Sequence, residues 1–398
     1  MMRVIFTSVL ALIGSAISVY ALPCISFDAN WNLYAFGVQG QSGWSLGTQD
    51  NWGSGGGNAT TISTTNAPPF NGNNTQCFLA QFFNAIYVID GDLSDPSSVH
   101  IFDADSQTWS IQTTNVQEAG VDPTSITLIL DHDTNVFYGL QGNNLYQLDM
   151  SQENKATSSQ IKWSEIGKPS FNTSGYTPTL GFANNHVYFL DVPGTSAGTA
   201  YIYVIHFSYS QPASQSYTPS SGNAFPAVGG KTATIWEPAT SSTPTFEAPT
   251  EFAFFPSDGS GTYVVDVVHN TTVEFAAPPA PPSSGASFYA GSNTAIVQLT
   301  PSGEVYYLPV KQTVLASGTS ATWTKVPNNL YSASYTSTTT AAPGVTIAGS
   351  TVIGATATGT SASTSASTTA KSGANKGATI DTMALFTVLV AGAWSLVA

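Results

Sequence analysis

The chain has 398 residues, of which 8% are charged and 12% aromatic, and a formal net charge of −14. Between residues 22 and 372 it carries 7 lysines, no arginine and 22 acidic residues, a net charge of −15. Nucleic acids and anionic membrane surfaces are held mainly through Arg and Lys, so this composition argues against both as partners.

Residues 1–21 begin with a basic Arg3, continue through an apolar run from Val9 to Ile17, and end in small residues at Ala21. That is the pattern of a secretory signal cleaved after Ala21. The apolar run is shorter than the roughly 20 residues that span a bilayer, which sets aside a signal anchor. The oxidising compartment beyond it predicts one disulfide between the two cysteines, Cys24 and Cys77. Four Asn-x-Ser/Thr sequons follow, at Asn58, Asn73, Asn172 and Asn270. Behind a signal peptide they predict N-glycosylation.

From Cys24 onward, short apolar and aromatic runs are cut by Gly, Pro, Asn, Asp and Ser. No segment between the two ends holds helical periodicity beyond two turns. This is an all-β pattern. Residues 24–46 hold three short runs, CISF, NLYAF and GWSL. Gly47 to Gln76 is rich in Gly, Asn, Ser and Thr, and reads as a mobile glycosylated excursion.

A repeat then begins. NAIYVID (Asn84 to Asp90) returns as NVFYGLQ (Asn135 to Gln141) and NHVYFLD (Asn185 to Asp191), at spacings of 51 and 50 residues. Each copy is followed by two further strand-like runs, the last carrying Trp109 in the first unit and Trp163 in the second. An extra run can precede the copy, as in SITLIL before Asn135 and TLGFA before Asn185. Looser copies begin at Glu251 and Ala295, the second carrying Trp323. The segment from Ala276 to Ala286 (AAPPAPPSSGA) reads as a stiff linker between units.

A four-stranded unit recurring about every 50 residues marks a β-propeller blade, which cannot bury both faces without neighbours. Five units are readable and the N-terminal runs supply another. The expectation is therefore about six blades, within a range of five to seven, over residues 22–336. YSASY (Tyr331 to Tyr335) is a candidate closing strand. A β-sandwich array and an unclosed β-solenoid are the alternatives. Within blades, Tyr87, Tyr138, Tyr188 and the three Trp residues are expected to pack.

Residues 337–372 are mainly Ser, Thr, Ala and Gly, with no acidic or aromatic residue, and predict a disordered, glycosylated stalk. Fully extended, it would reach on the order of 100 Å. Residues 373–398 read as a GPI-attachment propeptide. It combines small residues at Ser372, Gly373 and Ala374, a polar spacer, and a 16-residue apolar tail from Met383. Ser372 is the expected lipid-bearing residue, with Gly373 or Asn375 as neighbours. The membrane is thus expected only through the anchor, at the extracellular surface.

The Tyr in the second strand and Trp in the last resemble the kelch and galactose-oxidase type of propeller, over roughly residues 24–336. The paired glycines of that family are absent, with Asp90-Gly91-Asp92 the nearest approach. The stalk and anchor look like those of fungal cell-surface proteins. A copper radical oxidase of that family would need a Cys-crosslinked Tyr, a second Tyr and two His around copper. Here the cysteines account for each other, and His100, His132, His186, His206 and His269 are scattered over the units. No cofactor is expected.

Asp131-His132-Asp133-Thr134-Asn135 has alternating oxygen ligands, but Gly and Glu are missing from the positions a calcium loop needs, so a hairpin turn is the better reading. No nucleophile elbow, phosphate loop or zinc spacing is present. The chain reads as a surface binding or adhesion module for a glycan or protein. The alternative is a carbohydrate-active enzyme with carboxylates, or His with Asp, at the propeller mouth.

Overall fold

A computed structural model describes residues 22–38, 43–52, 59–150, 153–237, 247–284, 287–310 and 321–327. Blade 1 is built from β1 (Cys24–Phe27), β2 (Leu33–Phe36), β3 (Gly43–Gly47) and β4 (Thr60–Thr61). Blade 2 holds β5 (Gln76–Ala80), β6 (Ala85–Ile89), β7 (Val99–Asp103) and β8 (Thr108–Gln112). After β9 (Thr114–Asn115), blade 3 follows with β10 (Thr127–Leu130), β11 (Val136–Gln141), β12 (Asn144–Asp149) and β13 (Ile161–Gly167). Blade 4 has β14 (Thr179–Ala183), β15 (His186–Leu190), β16 (Thr199–Val204) and an outer strand in two pieces, β17 (Tyr209–Ser210) and β18 (Gln215–Ser216). After β19 (Thr218–Pro219), blade 5 comprises β20 (Gly230–Ile235), β21 (Glu251–Pro256), β22 (Thr262–Asp266) and β23 (Thr271–Phe275). Blade 6 has β24 (Phe288–Gly291), β25 (Ala295–Leu299), β26 (Val305–Pro309) and β27 (Thr324–Lys325).

Within each blade the strands pair antiparallel in chain order. Two blades gain a fifth strand from the chain before them. β9 runs parallel to β13, and β19 runs parallel to β23. Each covers the outer edge of the next blade, where unpaired backbone groups would otherwise face water or another chain.

The second strand of a blade is sandwiched by both neighbours, so it is mainly apolar rather than alternating. In β6, AIYVI is buried at every position. Six apolar clusters correspond to the six gaps between blades. Trp109 fills the gap between blades 1 and 2, its ring 5.2 Å from that of Phe36. Trp163 is buried between blades 2 and 3, its indole donating to Thr114 Oγ1 at 3.1 Å. Trp323 lies just ahead of β27 and reaches Phe255 of blade 5 at 6.3 Å. Tyr87 and Tyr188 are core residues and Tyr138 packs at the edge of a cluster.

The ring closes between blades 6 and 1. Leu33, Leu46 and Trp52 pack there against Ala295, Val297 and Leu299. Trp52 lies 5.5 Å from Tyr307, and Thr294 donates to Gln49 Oε1 at 2.5 Å. Among the described residues each of these two blades keeps its own strands, so packing, not strand exchange, joins them. The candidate closing strand at 331–335 lies outside the described residues.

Cys24 and Cys77 form a disulfide with Cα atoms 6.0 Å apart. It links the inner strands of blades 1 and 2, as the pairing of two lone cysteines implied. The segment 47–76 differs from its sequence reading. It supplies β4, and Trp52, Ile62 and Phe70 from it are buried. Its Gly and Asn content hid three widely spaced apolar anchors. Asn73, Asn172 and Asn270 are exposed, while Asn58 and Ser372 lie outside the described residues.

Candidate functional site

The inner strands β1, β5, β10, β14, β20 and β24 all run the same way along the ring axis. Their starts define an upper face and their ends a lower face. Between them is a channel of about 140 Å³. Phe27, Phe78, Leu128, Phe182 and Trp236 contribute to its wall together with Ser26, Thr232 and Thr234. Among the described lining residues there is no Asp, Glu, His or Lys. Inner strands approach closely enough that a Cβ on Gly291 would stand 2.0 Å from the Thr234 carbonyl oxygen.

The chemistry gathers at the lower face. Residues 131–135 are indeed a hairpin turn: the Asn135 amide donates to the Asp131 carbonyl at 3.0 Å, and the Thr134 hydroxyl to Asp131 Oδ2 at 2.5 Å. The turn follows the channel-lining Leu130 and folds His132 inward, leaving its side chain 1% exposed. The imidazole stacks on Phe82, with centroids 6.2 Å apart, and meets Phe182 at 6.0 Å and Trp236 at 6.4 Å. Its Nε2 donates to Asp133 Oδ1 at 2.8 Å. Burial pushes the His132 pKa below its usual value despite the pull of Asp133 and Asp131, so the ring is neutral at pH 7.

Asp133 is shared with blade 4. Asn185 donates its side-chain amide to Asp133 Oδ2, and the same nitrogen lies 2.9 Å from His206 Nε2. His206 Nε2 stands 3.8 Å from Asp133 Oδ2. One turn of blade 3 and two of blade 4, the β14–β15 turn and the segment after β16, thus bring together the polar side chains of Asp133, Asn185 and His206. Large apolar side chains stand beside it in water: Phe82 is 45% exposed and Phe207, next to His206, is 82% exposed.

The remaining histidines do not join this group through hydrogen bonds. His100 is buried on β7, and burial lowers its pKa. His186 turns back onto the Asn184 carbonyl. His269 pairs with Asp266 at 2.6 Å. Among the described residues no set of three or more His, Cys, Asp or Glu is arranged to hold a metal ion. Sequence reading spread the histidines over separate units and missed that His132 and His206 both face Asp133. The available signal was that Asp133, Asn185 and His206 all fall at strand ends on one side of the repeat.

No family model matches the chain, and no curated protein matches it. Solved structures that resemble its fold include a streptogramin B lyase, at 9% identity, 74% of this chain, 84% of that one and a TM-score of 0.38. A nidogen/laminin complex chain matches at 12% identity over 66% and 82%, with a TM-score of 0.38. A Bacteroides thetaiotaomicron protein of unknown function matches at 12% identity over 72% and 69%, with a TM-score of 0.42. The class that the strand order and six interfaces define is the six-bladed β-propeller with one inter-blade disulfide.

Proposed function

We propose that this chain is an extracellular binding module that displays a propeller head at a cell surface and uses its lower face to hold a glycan. The observation that carries the reading is the grouping of Asp133, Asn185 and His206 beside exposed Phe82 and Phe207. Planar polar side chains held by one another can take sugar hydroxyls, and exposed aromatic faces cover the apolar C–H faces of a sugar ring. The signal segment, the sequons and the small-residue triplet before the apolar tail support secretion, N-glycosylation and GPI anchoring at Ser372. The Tyr and Trp pattern and the Ser/Thr-rich stalk support kelch-type kinship and a fungal type of surface protein.

The test is a glycan array probed with the full chain in detergent. Binding that Asp133→Ala and Phe207→Ala each abolish is the expected result. Capture of a surface protein with no glycan signal would move the partner class to protein. Loss of neither on mutation would remove the lower face from the reading. Phosphatidylinositol-specific phospholipase C should release the protein from cells, and retention after treatment would overturn the anchor.

One observation favours a second reading. His132 and Asp133 in contact at the channel end are the His-with-Asp pair a carbohydrate-active enzyme would place there. Glycan breakdown lost in His132→Gln, with binding kept, would establish it.

A further inference from the structure

The upper face carries a separate recess of about 450 Å³, where blades 4, 5 and 6 meet. That volume lies within the range of small-molecule sites, about 300–1,000 Å³. The starts of β14 and β20 bring Thr179 and Lys231 to it, the turn after β15 brings Asp191, the turn after β21 brings Ser257, and the segment ahead of β24 brings Ser283.

Tyr176 and Thr179 of the wall are met internally. The Tyr176 hydroxyl donates to the Leu190 carbonyl at 2.8 Å, and Thr179 Oγ1 accepts from the Gly230 amide at 3.0 Å. Two charged side chains are different. Among the described residues, neither Lys231 nor Asp191 has a hydrogen bond or ion pair, although both are exposed to the recess. The Lys231 ammonium rests only against the Phe288 ring, 5.0 Å from its centroid. By contrast, Lys162 and Lys325 each hold a glutamate, at 3.0 Å and 2.5 Å. In a chain with 23 Asp and Glu residues, a recess lysine whose ammonium none of them holds is an open anion position. Burial by the recess wall lowers the Lys231 pKa and raises that of Asp191.

An ammonium only donates and a carboxylate only accepts. A ligand that completes both must present an anion to Lys231 and hydroxyl donors to Asp191, with further hydroxyls for Ser257 and Ser283. We infer that this upper-face recess is a binding site for a uronic acid residue of an acidic oligosaccharide, its carboxylate on Lys231 and its ring hydroxyls on Asp191. A neutral sugar leaves Lys231 unmatched, and a free amino acid leaves the serine rim unmatched. The site does not depend on the lower face.

Calorimetric titration of the full chain with trigalacturonate, cellotriose and free glutamate tests it. Trigalacturonate should bind about tenfold or more tighter than cellotriose, and more weakly as salt rises. Lys231→Met keeps the aliphatic stem over Phe288 and should remove that preference. Asp191→Asn, at an exposed position, should weaken the uronate while preserving the fold by circular dichroism. Lys162→Met, which removes an exposed lysine outside the recess, should leave the affinity unchanged. Equal binding of acidic and neutral sugars, tighter binding of glutamate, no binding of trigalacturonate, or unchanged affinity in both recess variants would overturn the assignment.

Discussion

The side-chain amide of Asn135 donates to the phenolic oxygen of Tyr87 at 2.7 Å, across the gap between blades 3 and 2 and 48 residues back in the chain. The same amide reaches the Met150 carbonyl at 2.8 Å. The Asn that opens each of the three clear copies of the repeat does this kind of bridging. Asn84 accepts from the Ala29 amide at 2.8 Å, and Asn185 reaches Asp133. All three are left-handed, with φ of 46°, 56° and 56°. Asn tolerates that conformation and carries the amide outward to the preceding blade.

Asn135→Ala should therefore lose both the backbone preference and the bridge, costing about 2–4 kcal/mol. Asn135→Gly keeps the backbone and loses only the bridge, so it should cost about 1–3 kcal/mol. Urea denaturation of both variants, with Tyr87→Phe for a double-mutant cycle, measures the coupling. Equal losses for Ala and Gly would assign the whole effect to the amide.

The Cys24–Cys77 bridge closes a loop of sequence separation 53 between neighbouring inner strands. Removing it as the Cys24→Ser, Cys77→Ser pair should cost on the order of 4 kcal/mol in the chain-entropy model. Thermal melts of the oxidised protein with and without reductant should show the same displacement as the double variant.

Glu251, at the start of β21, is 6% exposed, and its Oε2 has no hydrogen-bond partner. Burial, then the charges of Asp266 and Glu237, push its pKa up to about 7, with His269 opposing. The folded state therefore binds this proton more tightly than the unfolded chain. Its stabilising contribution is complete below about pH 4.5 and is lost as pH rises through about 7. Unfolding free energies between pH 4.5 and 7.5 should fall by a few kcal/mol at most from this group. Glu251→Gln should flatten that slope and raise stability at pH 7.5.

Ring closure rests on Trp52, which is buried and donates its indole N–H to the Leu46 carbonyl at 3.1 Å. Trp52→Ala opens a cavity beside Tyr307 and should cost about 3–5 kcal/mol. Trp44→Ala, on a half-buried side chain of the same cluster, should cost less in parallel denaturant titrations. A loss no larger than that of Trp44→Ala would show that the 6–1 interface is not held by Trp52.

The strands were readable because sandwiched strands write burial locally, as in the five apolar positions of β6. The fourth strand of blade 1 was not, since β4 is two exposed threonines inside a polar segment and exists only through pairing with Trp44 and Ser45. The crossing strands β9 and β19 were hidden for the same reason, each being two residues long. His132 stood out in sequence only as part of a turn. Its neighbours Phe82, Phe182 and Trp236 come from three other blades, separated from it by 50 residues or more in either direction.

Sequence alone determined the all-β class, the 50-residue unit and the pairing of two lone cysteines, because each depends on local burial patterns or on simple counting. Tertiary structure alone decided that the ring closes at six, that Asp133, Asn185 and His206 meet, and that Lys231 and Asp191 share one recess without touching each other. Those outcomes depend on how far each blade rotates relative to the last. That rotation is set by side chains packed across gaps, between residues the chain order keeps far apart.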